Sequence, residues 1–163
     1  MTFGSRAPHN THFYVVHPCE VDIAASMIGK DKQVSIDLGR VEVIAELLVN
    51  GKSAGTQWKP PFKADISSLI KAGKNQLEVR VTNPWRNRLI GDAQLPQPMF
   101  KKPGKNGSGM KGWPEWLLNG QPKPDDGCIT FTTYRHYTKD SELFPAGLLG
   151  PVRIHCAEVV PIR

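Results

Sequence analysis

The chain has 163 residues, of which 39% are apolar, and 21 Lys+Arg stand against 15 Asp+Glu for a formal charge of +6. That is enough for one domain with a continuous core and too short for a (β/α)₈ barrel, which needs roughly 250 residues. Fifteen glycines and fourteen prolines speak against a helical bundle, and the lack of any apolar run of about 18 residues excludes a helical membrane span. The positive surplus is compatible with nucleic acid or an acidic polysaccharide and says nothing about fold.

Residues 1–10 are polar, with no apolar h-region, so no secretory signal is expected there. His9, His12 and His17, with Cys19 nearby, match no zinc spacing, and a strand would put His12 and His17 on opposite faces. They read as surface or edge histidines. Val34, Ile36 and Leu38 alternate with polar neighbours until Gly39-Arg40 breaks the run. From 41 to 49 the odd positions Val41, Val43, Ala45, Leu47 and Val49 are all apolar, the period-2 signature of a strand with one face buried. Asn50-Gly51 then predicts a type I′ hairpin turn, because both residues tolerate positive φ. Residues 53–58 form the returning strand, which Pro60-Pro61 ends. Asp65, Ile66, Leu69, Ile70 and Gly73 predict one helical turn with Asp65 as N-cap, and Leu77, Val79 and Val81 a further half-buried strand.

Residues 84–127 differ. Half of the prolines fall there with seven glycines, and neither periodicity survives. A loop of this length inside a domain is usually functional, and it gathers Trp85, Arg86, Arg88, Phe100, Lys101, Lys102, Trp113 and Trp116. Strand pattern returns at 129–134 and at 151–160. There Cys156 continues the apolar face of Val152 and Ile154 and reads as a buried thiol. Three cysteines without a CxxC spacing indicate neither a zinc knuckle nor a disulfide framework. With seven to nine short strands, one helical turn and no strand–helix alternation, the fold is expected to be all-β. It reads as one antiparallel β-sandwich or jelly roll over 1–163, with divergent N-terminal strands (1–26) and a long Pro/Gly-rich loop insertion (84–127).

Three stretches carry a resemblance: DLGRVEVIAELLVNGKSAGTQWKPPF (37–62), ADISSLIKAGKNQLEVRVTN (64–83) and NRLIGDAQLP (87–96). A fourth, TFTTYRHYTKDSELFPAGLLGPVRI (130–154), looks like the closing part of the same domain. In this order they resemble the sugar-binding β-sandwich of glycoside hydrolase family two and of the large bacterial α-L-rhamnosidases. Residues 11–23 depart from the aromatic first strand usual there. The resemblance implies a galactose-binding-like jelly roll that accompanies a separate catalytic domain, in parent enzymes often secreted or periplasmic. It therefore implies a non-catalytic carbohydrate-binding or accessory domain, either a separated fragment or a stand-alone module. The implied partners are an oligo- or polysaccharide and a glycoside hydrolase catalytic domain.

Glycoside hydrolysis needs two carboxylates held across the scissile bond. Asp92, Glu115, Asp125, Asp126, Asp140 and Glu142 all fall in predicted loops; the related enzymes carry their acid and base in a barrel this chain lacks, and Asp92 reads as a cap of backbone amides in its own NRLIGD loop. No autonomous glycosidase is expected. No GxSxG, Walker A or GxGxxG motif occurs, so neither serine-hydrolase nor nucleotide chemistry is indicated. No cofactor is expected; modules of this fold often hold one structural Ca²⁺, but no acidic cluster names its ligands. Sugar rings stack their C–H faces on aromatic rings while hydroxyls bond Arg, Asn and Asp. The candidate carbohydrate-binding residues are thus Trp58, Trp85, Trp113, Trp116, Tyr134 and Tyr137 for stacking, with Arg86, Asn87, Arg88, Arg135 and His136 for hydrogen bonds. Trp58 and Trp85 follow strands and also read as plugs at the sandwich end. The +6 charge makes acidic plant glycans the first trial. A nucleic-acid groove would also combine aromatics with positive charge, but the basic residues are dispersed and no RNP or KH signature is present. A purely structural or interaction domain without a ligand is the remaining alternative.

Overall fold

The computed structural model describes residues 14–96, 99–101 and 108–161. His9 and His12, the polar stretch 1–10 and Lys102 lie outside them. Among the described residues nine strands form in the order β1 (Tyr14–Ile23), β2 (Lys32–Asp37), β3 (Arg40–Glu42), β4 (Ile44–Val49), β5 (Lys52–Gln57), β6 (Lys63–Asp65), β7 (Gly73–Thr82), β8 (Gly147–Gly150) and β9 (Arg153–Glu158). Among the described residues between β7 and β8 lie two short α-helices, α1 (Arg86–Asp92) and α2 (Glu115–Leu118). The chain divides into two compact units, one made of the described residues up to Pro84 together with Pro145 onward, the other of Trp85–Phe144.

The first unit is an antiparallel sandwich. One sheet runs β1-β7-β4-β5, the other β6-β2-β9, and β3 pairs with β8 alongside. Alternation decides what lies between them. Ala45, Leu47 and Val49 of β4, Leu77, Val79 and Val81 of β7, and Val34 and Ile36 of β2 share one core cluster with Leu38, Val41, Phe62, Ala64 and Ile66. Each Val, Leu, Ile or Phe side chain so buried stabilises the fold by about 1.5–3 kcal/mol before entropy is charged against it.

Turn chemistry holds the register. Asn50 and Gly51 sit at φ 51° and 78°, the left-handed geometry of the expected hairpin turn. The Asn50 amide donates to Leu69 O and Asn75 Oδ1, both at 2.9 Å, and its Oδ1 accepts Gln76 N–H at 3.0 Å. Asn75 is fully buried, yet its Oδ1 also accepts Lys71 N–H and its amide donates to Lys71 O and Gly73 O. A buried amide is stable only when satisfied in this way. The predicted turn at 65–70 forms: Asp65 Oδ1 accepts Ser67 N–H at 2.9 Å, and Ile70 N–H reaches Ile66 O. Gly39, at φ +67°, lies so close to Gly150 that a Cβ would stand 2.5 Å from that residue's carbonyl carbon, so no larger residue fits. This contact pins the start of β3 beside β8.

Three expectations are corrected. Residues 129–134 alternate but form no strand; among the described residues Tyr134 makes a single bridge, with Gly109. Cys156 is exposed, not buried. It sits on β9, the outer strand of its sheet, where Ile154 is half-buried and its other residues are exposed. Alternation shows which residues share a face, not how far the opposing sheet extends. The stretch 84–127 is also not free of helix. α1 carries an Arg88–Asp92 pair at i, i+4. α2 follows Pro114 with Glu115 in its first turn, and ends at Asn119-Gly120 with Gly120 at φ 62°. Pro–Glu at the start and Asn–Gly at the stop are readable signals; helices of seven and four residues are too short for periodicity to reveal.

Candidate functional site

The candidate carbohydrate-binding residues divide between the two units. Trp58 belongs to the sandwich; Trp85, Arg86, Arg88, Trp113, Trp116, Tyr134, Arg135, His136 and Tyr137 belong to the second unit.

In the sandwich, Pro60-Pro61 stops β5 from continuing and leaves Trp58 on a turn rather than in the ladder. Trp58 is 66% exposed, so it does not plug the sandwich end. It lines a groove with Gly39, Arg40, Val41, Glu42, Val43, Pro60 and Phe62. Val41 and Phe62 are buried beneath, while Val43 is 44% exposed. Arg40 and Glu42, two apart on β3, point to one face. The Arg40 Nε and Nη2 both donate to Glu42 Oε1, at 2.9 and 2.8 Å. Nothing in the composition singles out this pair, although i, i+2 spacing on a strand next to a tryptophan could have flagged it.

In the second unit the aromatic and basic side chains engage one another. Trp85, at the head of α1, is 49% exposed and so is no core plug either. The Arg86 guanidinium lies over the Phe144 ring, 4.7 Å from its centroid, a cation–π contact. Asn87 clamps the same residue, its amide donating to Phe144 O at 2.7 Å and its Oδ1 accepting Phe144 N–H at 2.9 Å. Tyr137 meets Phe144 edge to face. Trp116 does the same with Phe131, at 5.4 Å and 77°, and is half-buried, while Trp113 is 57% exposed. Tyr134 and His136 lie tilted at 5.4 Å, and Arg135 sits over Phe100. Arg135, His136 and Tyr137 share a shallow cleft with Leu89, Ala93, Thr130 and Thr132.

Asp92 organises this unit, though not as expected. It caps Thr130 rather than its own loop: Oδ2 accepts Thr130 N–H at 2.7 Å and the Thr130 hydroxyl at 2.8 Å, and the Arg88 guanidinium pairs with Oδ1. Burial pushes its carboxyl up, but the bonds from Thr130 and Arg88 outweigh it and hold the group below the usual carboxylate range. Arg88 also donates to Gly127 O at 3.3 Å. Asp126 is engaged by Lys123 at 2.8 Å and by Cys128 N–H. His17 and Cys19 both lie on β1, His17 half-buried and Cys19 buried. Burial keeps the first below its ordinary pKa and raises the second. Among the described residues no cluster of His, Cys, Asp or Glu is arranged to hold a metal ion, and no helix is long and apolar enough to cross a membrane.

Comparison with known proteins follows the same lines. No family model matches the chain. A Formosa agariphila protein named "Putative beta-glucuronidase" is 44% identical over 133 residues, which is 82% of this chain and 11% of that protein. A rhamnosidase structure from Novosphingobium sp. PP1Y superposes with a TM-score of 0.63 at 30% identity, over 88% of this chain and 11% of its own. The chain is related to one segment of large glycoside hydrolases. It bears out the resemblance to the glycoside hydrolase family-two and rhamnosidase β-sandwich, and it spans about a tenth of the length of both relatives.

Proposed function

We propose that the chain is a non-catalytic accessory segment of a glycoside hydrolase that contacts glycan through exposed aromatic faces. The observation that carries this reading is the superposition of 88% of the chain on one segment of a rhamnosidase. A β-sandwich of the galactose-binding-like jelly-roll type gives the segment a rigid frame, and its surface offers Trp58, Trp85 and Trp113 to the C–H faces of sugar rings. Arg88 and Asp92 are committed to each other and to the protein's own backbone, which argues against a free acid–base pair in that loop. Acidic plant oligosaccharides are the first ligands to try, because the chain carries a +6 charge. The glycan partner is shared with a catalytic domain on the same or another polypeptide.

A glycan array on the purified chain tests the reading. Binding to a defined subset of oligosaccharides is expected; a blank array, repeated at millimolar ligand by titration, refutes it.

A further inference from the structure

We propose that the Trp58 groove of the sandwich is a monosaccharide-binding site, taking one pyranose ring with a vicinal pair of hydroxyls. The inference rests on the glycan reading above and gives it a location.

Three features converge there. The first is an exposed apolar platform. Several large apolar side chains of the sandwich are exposed, Ile28, Ile44, Leu149, Val159 and Val160 among them, but Trp58 (66%) and Val43 (44%) are the exposed ones that line this groove. An indole in that position supplies a flat apolar platform of the kind a C–H sugar face covers. Lys59 Nζ lies 5.1 Å from the ring centroid, on a flexible stem that a ligand ring can displace.

The second feature is the adjacent polar pair. Arg40 spends Nε and Nη2 on one oxygen of Glu42. Among the described residues Arg40 Nη1 and Glu42 Oε2 have no protein hydrogen bond. A donor and an acceptor held side by side match two neighbouring hydroxyls, one accepting from the guanidinium and the other donating to the carboxylate. Their side chains are 60% and 32% exposed, so both are reachable from the groove they line.

The third feature is rigidity. Gly39 is locked against Gly150, Leu38 N–H donates to Phe62 O at 2.8 Å, and Val43 N–H donates to Thr82 O at 3.1 Å. The strand bearing Arg40 and Glu42 and the turn bearing Trp58 are thereby tied to the same core. A site held this way loses little conformational freedom on binding.

The test uses the full 163-residue chain and four probes: methyl glycosides of glucose, galactose, rhamnose and glucuronic acid. The chain has four tryptophans, so four indole N–H signals report on ¹⁵N-labelled protein, and Trp58→Phe identifies one of them. The expected result is a saturable shift of the Trp58 signal with at least one probe. Trp58→Ala should then weaken that probe by roughly 10- to 100-fold, as loss of a ring-stacking platform does. Arg40→Gln and Glu42→Gln should each weaken it with the amide spectrum of the core unchanged. If a probe shifts only the other indoles, the chain binds sugar elsewhere and this site is refuted while the glycan reading stands. If Trp58→Ala and Glu42→Gln bind as the unaltered chain does, the site is likewise refuted. If no probe and no longer oligosaccharide moves any indole, both fail.

Discussion

Between β4 and β7 the interior is a continuous row of Ala45, Leu47, Val49, Leu77, Val79 and Val81, all buried. Within residues 85–144 the buried described residues are Ile90 and Phe100 together with Asp92, Ser108 and Thr130. One unit is held by apolar area and the other largely by hydrogen bonds and ring contacts. The two respond to perturbation differently, since apolar burial is non-directional and tolerates repacking, whereas a buried polar network fails when one partner is removed. A region of the second kind can also place charged and aromatic groups at its surface without disturbing an apolar core.

The largest expected effect is in the sandwich. Leu47→Ala should lower stability by about 3–4 kcal/mol, the cost of a cavity in a closed core, read as a lower denaturation midpoint in urea with the far-ultraviolet signal. Next comes Asp92→Ala, which strands the Arg88 guanidinium and the Thr130 donors. It should cost about 3 kcal/mol, and amide exchange should place the loss in residues 85–144 while β4 and β7 keep their protection. If both variants melt the whole chain identically at every amide, the two units do not differ in what holds them.

A smaller effect follows from pH. The Asp92 carboxyl is held below its ordinary value in the folded state, so its contribution is complete above the unfolded carboxylate pKa of about 4 and is lost as pH falls through the folded one. Near-ultraviolet ellipticity should therefore fade below about pH 4, and Asp92→Asn should flatten that dependence. The smallest effect on stability is expected for Trp113→Ala. Trp113 is 57% exposed, so the melting temperature should barely move while glycan binding weakens by roughly 1–3 kcal/mol; unfolding by this substitution would make Trp113 a packing residue.

The same contrast explains what could be read from the residues alone. Alternation at 41–49 and 77–81 and the Asn50-Gly51 turn located the sandwich, because period-2 burial and positive φ leave marks in composition. Asp92 and Thr130 are 38 positions apart and meet only through folding, so no local pattern announces them. Cys156 followed the alternation yet lies exposed on an outer strand; sheet order is not written in a strand's own residues. For the candidate site, residue type named Trp58 and Trp113 as stacking candidates, but not that Arg86 rests on Phe144 or Trp116 on Phe131, nor that Arg40 and Glu42 flank the Trp58 groove.

The central claim, a glycan-contacting segment without its own hydrolytic chemistry, is tested most directly by running two assays on one preparation. Oligosaccharides selected on the array are titrated calorimetrically into the chain, and aryl glucuronides and aryl rhamnosides are incubated with the same protein. The account predicts saturable heat of binding and no release of the aryl group above the buffer rate. Sustained turnover that disappears on replacing a single carboxylate, or an absence of binding heat with every oligosaccharide, would contradict it.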